Sequence, residues 1–145
     1  MKILVINGPN INLLGLREPE IYGRRTYSDL LRLITETGEK CGAVTEEFQS
    51  NHEGAIVDKI QEAYGRFDGI VINPGGYTHT SVAIRDALAA VGIPAVEVHI
   101  SDVDGREEFR RISFVRDVCL ATISGRGIGG YADAIEFLCK KIRKK

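Results

Sequence analysis

The sequence contains few cysteines, and nothing in their arrangement suggests pairing. Only three occur among 145 residues, at Cys41, Cys119 and Cys139. Their odd number, wide spacing and lack of a Cys-x-x-Cys pair argue against both a disulfide framework and a zinc site. The three histidines also lack metal-ligand spacing. We therefore predict a cytoplasmic protein without a metal.

Long hydrophobic runs and an excess of either charge are also lacking. Only four apolar residues separate Lys2 from Asn7, too few for a signal peptide core, and no run approaches membrane-spanning length. Lysine plus arginine, at 19, nearly cancels aspartate plus glutamate, at 20, so no global field attracts nucleic acid or an anionic membrane. Any anion must be bound by local groups. The length and the 43% hydrophobic content suit one catalytic domain, residues 1–145, with a single core.

Short apolar runs alternate with segments of helical periodicity along the chain. Strands are predicted at residues 2–7, 43–49, 70–73, 95–100 and 118–124. Helices are predicted at about 26–41, 50–65 and 82–91 and from about 130 to 143, with a short helical piece at 107–111. Apolar runs without alternation are typical of strands buried on both faces of a parallel sheet. Five strands alternating with helices predict a three-layer α/β domain, and the flavodoxin-like strand order 2-1-3-4-5 is the favoured arrangement.

The longest connection, residues 7–23, combines turn-forming residues with chemically active side chains. Strand-to-helix connections usually have about 2–6 residues, so a connection of this length is functional or disordered. Apolar anchors such as Ile11 and Leu14 argue against disorder. We expect the segment to form a lid over a cleft. The guanidinium of Arg17 would favour the phenolate form of Tyr22, because an opposite charge lowers the pKa of an acid.

Polar residues collect where predicted strands one, three and four end. These ends are residues 7–10, 73–76 and 97–101. In open α/β sheets, ligands bind outside the carboxyl ends of the strands, where the strand order reverses. We therefore expect the three segments to form the floor of one cleft.

Glu97 and His99 occupy the same face of one strand, about 7 Å apart along it. The carboxylate can then orient the imidazole and favour its charged form, as a general acid near neutral pH requires. The alternative is two polar residues at a solvated strand end. Arg110 follows this strand and could bind a carboxylate with its planar fork, helped by the backbone amides of Ile100 and Ser101.

Residues 125–130, Gly-Arg-Gly-Ile-Gly-Gly, match the dinucleotide-binding pattern G-x-G-x-x-G between a strand and a helix. The motif lies in the last β-α unit, however. No further strand follows to carry the acidic ribose ligand expected about 20 residues later. We therefore expect these glycines to serve close packing of the strand against the helix.

Five segments closely resemble the type II 3-dehydroquinate dehydratases, which are cofactor-free enzymes of the shikimate pathway. The segments are residues 7–23, 73–81, 84–86, 97–101 and 106–110, and the resemblance runs from residue 3 to about residue 138. It implies a flavodoxin-like fold and no cofactor. The implied reaction is anti elimination of water from 3-dehydroquinate, through an enolate, to give 3-dehydroshikimate. The implied assembly is a homo-oligomer, a dodecamer of four trimers.

The resemblance also implies a role for each matching residue. Tyr22 matches the base, His99 the general acid and Arg17 the lid arginine that stabilises the transition state. Asn10 matches a residue that helps to hold a water near the enolate, and Glu97 matches the partner of the histidine. The implied substrate-binding set is Asn73, Gly75, Gly76, His79, Ile100, Ser101 and Arg110, with Asp86 reaching the site from a neighbouring subunit. Asp102 stands where the family pattern has asparagine, and residues 111–124 match loosely.

The rival interpretation is a non-catalytic phosphate-binding or signalling module on the same sheet order, because fold alone does not set function. Such a module would use an acidic cluster at the strand ends or a glycine-rich first turn. Strand one ends here in Asn7, without an acidic cluster. A structural subunit that uses only an oligomer surface is a third alternative.

Overall fold

The structure, a computed structural model, describes residues 1–16, 18–22 and 24–145, except for the side chain of Tyr22. Its strands are β1 (Lys2–Asn7), β2 (Val44–Gln49), β3 (Gly69–Asn73), β4 (Ala95–His99) and β5 (Ala121–Ser124). They form one parallel sheet in the order β2-β1-β3-β4-β5. The predicted flavodoxin-like order is confirmed.

Helices connect the strands and cover both faces of the sheet. They are α1 (Pro19–Tyr22), α2 (Tyr27–Lys40), α3 (Glu53–Ala63), α4 (Val82–Val91) and α5 (Gly129–Arg143). Short 3₁₀ helices lie at Ile11–Leu13, Gly75–His79, Val103–Gly105, Glu108–Arg111 and Arg116–Val118. Thr26 begins α2 with a reciprocal capping box with Asp29, and the Ser81 side chain caps α4. No helix in the described part of the chain is long and apolar enough to cross a membrane.

The strands alternate their side chains between two apolar cores, as β1 illustrates. Ile3 and Val5 face a core that contains residues of α2 and α5, whereas Leu4 and Ile6 face a core that contains residues of α3 and α4. All four side chains are fully buried. Burial on both faces explains why β1 has no apolar-polar alternation.

Several predicted boundaries differ from those observed. The predicted connection after β1 contains two short helices, Ile11–Leu13 and Pro19–Tyr22, which the sequence patterns did not indicate. Proline suits the first position of a helix, where its missing N–H is not needed. α3 begins at Glu53 instead of residue 50, and the Asn51 side chain accepts hydrogen bonds from Asn10 N and Gln49 Nε2. Strand β5 begins at residue 121, because residues 116–118 form a 3₁₀ turn.

Candidate active site

The connections after β1 and β3 cross with their backbones in direct contact. Asn7 pairs with Asn73 across the two strands, and the N–H of Gly8 donates to the Asn73 carbonyl at 2.8 Å. A Cβ on Gly8 would collide with the carbonyl of Pro74. Gly75 has a φ of +61°, a conformation that favours glycine. This contact forms the floor of the site.

A cavity of about 170 Å³ opens at this floor. Its walls include Asn10, Asn73, Gly75, Gly76, His79, His99, Ile100, Ser101 and Arg110, all of which were predicted as site residues. Glu97 is fully buried beside His99 and does not line the cavity. Arg17 and the side chain of Tyr22, the predicted lid pair, lie outside the described residues.

His99 is held by Glu97 at the end of β4. The Glu97 Oε1 atom lies 2.6 Å from His99 Nε2, and both side chains are buried. A carboxylate can only accept here, so Nε2 carries the proton in this contact. His99 Nδ1 is then the ring nitrogen left for a bound molecule. The predicted contact between these two side chains is confirmed.

Glu97 has further partners that sequence reasoning did not identify. The hydroxyl of Ser113 donates to Oε1 at 2.5 Å, and that of Thr122 donates to Oε2 at 2.9 Å. Burial by itself raises the pKa of the Glu97 carboxyl, but its contacts with His99, Ser113 and Thr122 outweigh this effect and hold the pKa below its ordinary value. Glu97 is therefore an ionised group that fixes the His99 ring.

His79 has a different environment from His99, although both line the cavity. Its Nδ1 lies 2.7 Å from the carbonyl oxygen of Ile112, so Nδ1 donates and Nε2 is an acceptor in the neutral ring. Burial lowers the pKa of His79, and the charges of His99 and Arg110 lower it further, against the effect of the Ile112 hydrogen bond. This environment makes His79 a neutral hydrogen-bond acceptor.

Two arginines make one side of the cavity basic. Arg110 donates from Nε to Glu107 at 2.7 Å, so its terminal nitrogens are the ones left to bind an anion. Arg106, which was not predicted as a site residue, also lines the cavity and donates from Nη1 to the Ser101 hydroxyl at 3.3 Å. The sequence feature that could have identified Arg106 is its position four residues before Arg110. No aspartate or glutamate is among the described lining residues, so the cavity suits an anionic ligand.

The glycine-rich motif before α5 supports the same side of the cavity. The N–H groups of Gly127 and Gly125 donate to the carbonyls of Ile100 and Ser101 at 3.1 Å. These contacts fix the peptide planes after both residues, including the plane that carries the Ser101 N–H. A Cβ on Gly130 would lie 3.3 Å from Ile123 of β5, which confirms the predicted close packing of strand against helix at this glycine alone. Gly125 and Gly127 instead have positive φ, and Gly129 has open space beside it.

Asp86 and Asp102 do not line the cavity. Asp86 is exposed on α4 and lies 3.5 Å from Arg85. The Asp102 side chain caps the Val103–Gly105 turn by accepting from the Asp104 N–H, a role that asparagine or aspartate can fill. Among the described residues, no three His, Cys, Asp or Glu side chains are grouped to hold a metal ion.

The parallel α/β sheet, with a buried carboxylate-histidine pair and two arginines at its cavity, is the arrangement of an α/β enzyme that acts on a small molecule. The family model of the class II dehydroquinases matches residues 1–139, and the chain belongs to this family.

Similar proteins cover nearly the whole chain. The 3-dehydroquinate dehydratase of Lachnospira eligens is 56% identical over 147 residues, which span 100% of both chains. The catabolic 3-dehydroquinase of Penicillium rubens is 54% identical over 143 residues, which span 99% of this chain and 92% of that protein. The crystal structure of type II dehydroquinase from Butyrivibrio crossotus superposes with a TM-score of 0.93 at 58% sequence identity. The alignment covers 95% of this chain and 97% of that protein's chain.

Proposed function

We propose that this chain is a 3-dehydroquinate dehydratase, a hydro-lyase that removes water from 3-dehydroquinate to give 3-dehydroshikimate in the shikimate pathway. The observation that carries the proposal is a single cavity lined both by His99, which Glu97 holds, and by Arg106 and Arg110. A carboxylate substrate that must lose a hydroxyl group needs both features. The sequence similarity to relatives with this named activity supports the same substrate.

The basic side of the cavity binds the substrate carboxylate. Arg110 supplies its terminal guanidinium nitrogens, and the backbone amides of Ile100 and Ser101 supply further donors. The neutral His79 ring offers Nε2 as an acceptor for a substrate hydroxyl. Asn73 and the backbone at Gly75 and Gly76 bind the remaining polar groups. The substrate is therefore held by several contacts that are independent of the reacting atoms.

The reaction proceeds by two proton transfers. Tyr22, as phenolate, removes the proton next to the substrate carbonyl, and the electron pair of the C–H bond moves into an enolate. Asn10 holds a water that hydrogen-bonds to the enolate oxygen. His99 then gives a proton to the leaving hydroxyl, the C–O bond breaks with formation of the conjugated double bond, and water departs. Glu97 stabilises the imidazolium before this step and fixes its ring throughout.

A lid and a neighbouring subunit complete the proposed active site. Arg17 closes over the substrate on the lid segment and stabilises both the phenolate of Tyr22 and the transition state. Asp86, which is exposed and outside the cavity of its own chain, reaches the cavity of a neighbouring copy. The chain is thus a single catalytic domain of a cytoplasmic homo-oligomer, a dodecamer built from four trimers.

Purified protein mixed with 3-dehydroquinate should produce the ultraviolet absorbance of the conjugated enone. Substrate carrying deuterium in a single configuration beside the carbonyl tests the stereochemistry, because anti elimination removes the hydrogen opposite the leaving hydroxyl. Product NMR should show the label lost from one diastereomer and retained in the other. An oligomeric preparation that produces no enone would exclude the proposed function. Syn loss of the label would exclude the proposed mechanism alone.

A further inference from the structure

One buried tyrosine joins the two strand ends that form the floor of the cavity. Tyr131 lies in the third position of α5 and is fully buried. Its hydroxyl donates to Asn7 Oδ1 at 2.6 Å and accepts from Asn73 Nδ2 at 2.8 Å. Asn7 and Asn73 are paired residues of β1 and β3, so the hydroxyl connects both strands at the point where the strand order reverses.

The backbone N–H of Gly75 determines the direction of the hydrogen bonds that link Asn73, Tyr131 and Asn7. The N–H of Gly75 can only donate, and it lies 3.1 Å from Asn73 Oδ1. This contact fixes the oxygen of the Asn73 amide, so that its nitrogen faces Tyr131. The Tyr131 oxygen must then accept from Asn73, and its single proton is left for Asn7.

The phenol keeps its proton because of where it lies. Burial raises the pKa of the Tyr131 hydroxyl, and the hydrogen bond from Asn73 opposes this effect only in part. A neutral hydroxyl has one proton to donate. Donation to Asn7 therefore excludes donation to Asn73, which keeps the amide in a single orientation. Asn73 itself lines the cavity, and its amide nitrogen has a second hydrogen that Tyr131 does not use.

We propose that Tyr131 is a positioning residue that, together with the Gly75 N–H, holds the Asn73 amide in one orientation, so that Asn73 presents an N–H donor to an oxygen of the substrate. This inference rests on the proposed function for the identity of the substrate. It also assigns a task to the glycine-rich turn before α5, since this turn places Tyr131 next to the strand ends. The hydroxyl acts through Asn73 and does not contact the substrate.

The decisive variant is Tyr131→Phe, which keeps the ring and its packing but removes the hydroxyl. The Asn73 amide nitrogen then loses its partner, and the amide, held only by the Gly75 N–H, can rotate to present its oxygen to the cavity. Because Asn73 binds the substrate equally in the ground state and the transition state, KM should rise about 3–10-fold while kcat changes less than twofold. Ile135→Val is the matched control, since Ile135 lies one turn later on α5, is fully buried and has no polar group that could hydrogen-bond to either asparagine. It should lower thermal stability and leave KM within twofold of the parent.

Asn7→Leu is a second test of the inference, and it retains the tyrosine. It also serves if Tyr131→Phe does not fold. Without its acceptor, the Tyr131 proton competes with the Asn73 N–H, and KM should rise as in Tyr131→Phe. An unchanged KM in a folded Tyr131→Phe or Asn7→Leu protein would overturn the inference.

The side-chain amide of Asn73 offers a readout that needs no substrate. Its ¹⁵N resonance, assigned by its absence in Asn73→Ser, should show one slowly exchanging N–H in the parent and rapid exchange of both in Tyr131→Phe. Rapid exchange in the parent would refute the proposed orientation even if the protein is an active dehydratase. Slow exchange in a parent without dehydratase activity would support the hydrogen-bond chain and reject the proposed function alone.

Discussion

The Oε1 atom of Glu97 lies 2.6 Å from Nε2 of His99, and the two residues are separated by one residue on β4. The alternation of side chains along a strand places both on the same face. Ser113 and Thr122 hold the carboxylate from two other segments, so that Glu97 cannot turn away from the ring. The imidazole therefore has one fixed edge and one edge available for chemistry.

Replacing His99 with alanine should lower turnover by roughly 10²–10⁴-fold, the usual contribution of a general acid. In the proposed mechanism, proton removal precedes the step that His99 assists, so exchange of the substrate proton with deuterium from the solvent should continue. His52→Ala is the control, because His52 is exposed and its side chain makes no capping hydrogen bond to α3. Dehydration at a near-normal rate in His99→Ala would transfer the acid role to another group, with His79 the next candidate.

Protonation of Glu97 should lower the stability of the folded protein in acid. The folded pKa of Glu97 lies below its ordinary value of 4.5, so its ionised form contributes stability above about pH 4.5. This contribution is lost as the pH falls through the folded pKa. In Glu97→Gln, the unfolding free energy should be about 1–3 kcal/mol lower than in the parent at pH 7. The difference should shrink toward pH 3 in urea titrations. A constant difference from pH 7 to pH 3 would contradict this role.

Tyr22→Phe should remain folded and bind substrate, but turnover should fall by at least about 10²-fold, because the base is removed. Tyr64→Phe, at a tyrosine that is 71% exposed, is the control for loss of a hydroxyl elsewhere. The limb of the kcat/KM profile on which activity rises with pH, because Tyr22 must be ionised, should lie well below pH 10 in the parent and move to higher pH in Arg17→Ala. Tyr22→Phe activity within tenfold of the parent would assign the base to another residue.

Two glycine substitutions should have opposite effects on stability. Gly8→Ala should lower the unfolding free energy by about 1–3 kcal/mol, because its Cβ meets the Pro74 carbonyl and the neighbouring backbone must move. Activity should fall with it, since this contact forms the cavity floor. Gly54→Ala in α3 has no atom within 4 Å of the new Cβ and should raise stability by about 0.5–1 kcal/mol. Thermal unfolding and kcat/KM measure both effects.

Asp86→Ala should reduce activity by about tenfold if this side chain completes the cavity of a neighbouring copy. Asp117→Ala is the matched control, because Asp117 also pairs with Arg85, at 2.9 Å. It should leave activity unchanged. Light scattering at the assay concentration should show the parent as an oligomer. A fully active monomer would be incompatible with the shared site.

Sequence patterns predicted five strands alternating with helices, and this count favoured the observed sheet order. The signal was strong for β1 and β3, which are apolar runs, and weak for β2, whose sequence is VTEEFQ. The Glu97–His99 contact was predictable because both residues lie on one strand. Ser113, Thr122 and Tyr131 were not predicted as parts of the site. They reach it from segments 16, 25 and 58 residues away from their partners, and no local spacing marks such contacts. Arg106 belongs to the matching segment 106–110, but the sequence does not show that its guanidinium reaches the cavity, because this depends on the path of residues 101–110.

The hydrogen bond between Asn7 and Tyr131 joins residues 124 positions apart. During synthesis, β1 leaves the ribosome long before α5 exists, and chains are made at about 5–20 residues per second. For several seconds, Asn7 and Asn73 at the ends of β1 and β3 therefore lack their buried hydrogen-bond partner, the Tyr131 hydroxyl. The two strand ends can therefore reach their final arrangement only after residue 131 has left the ribosome, so that α5 is the element that completes the floor of the cavity.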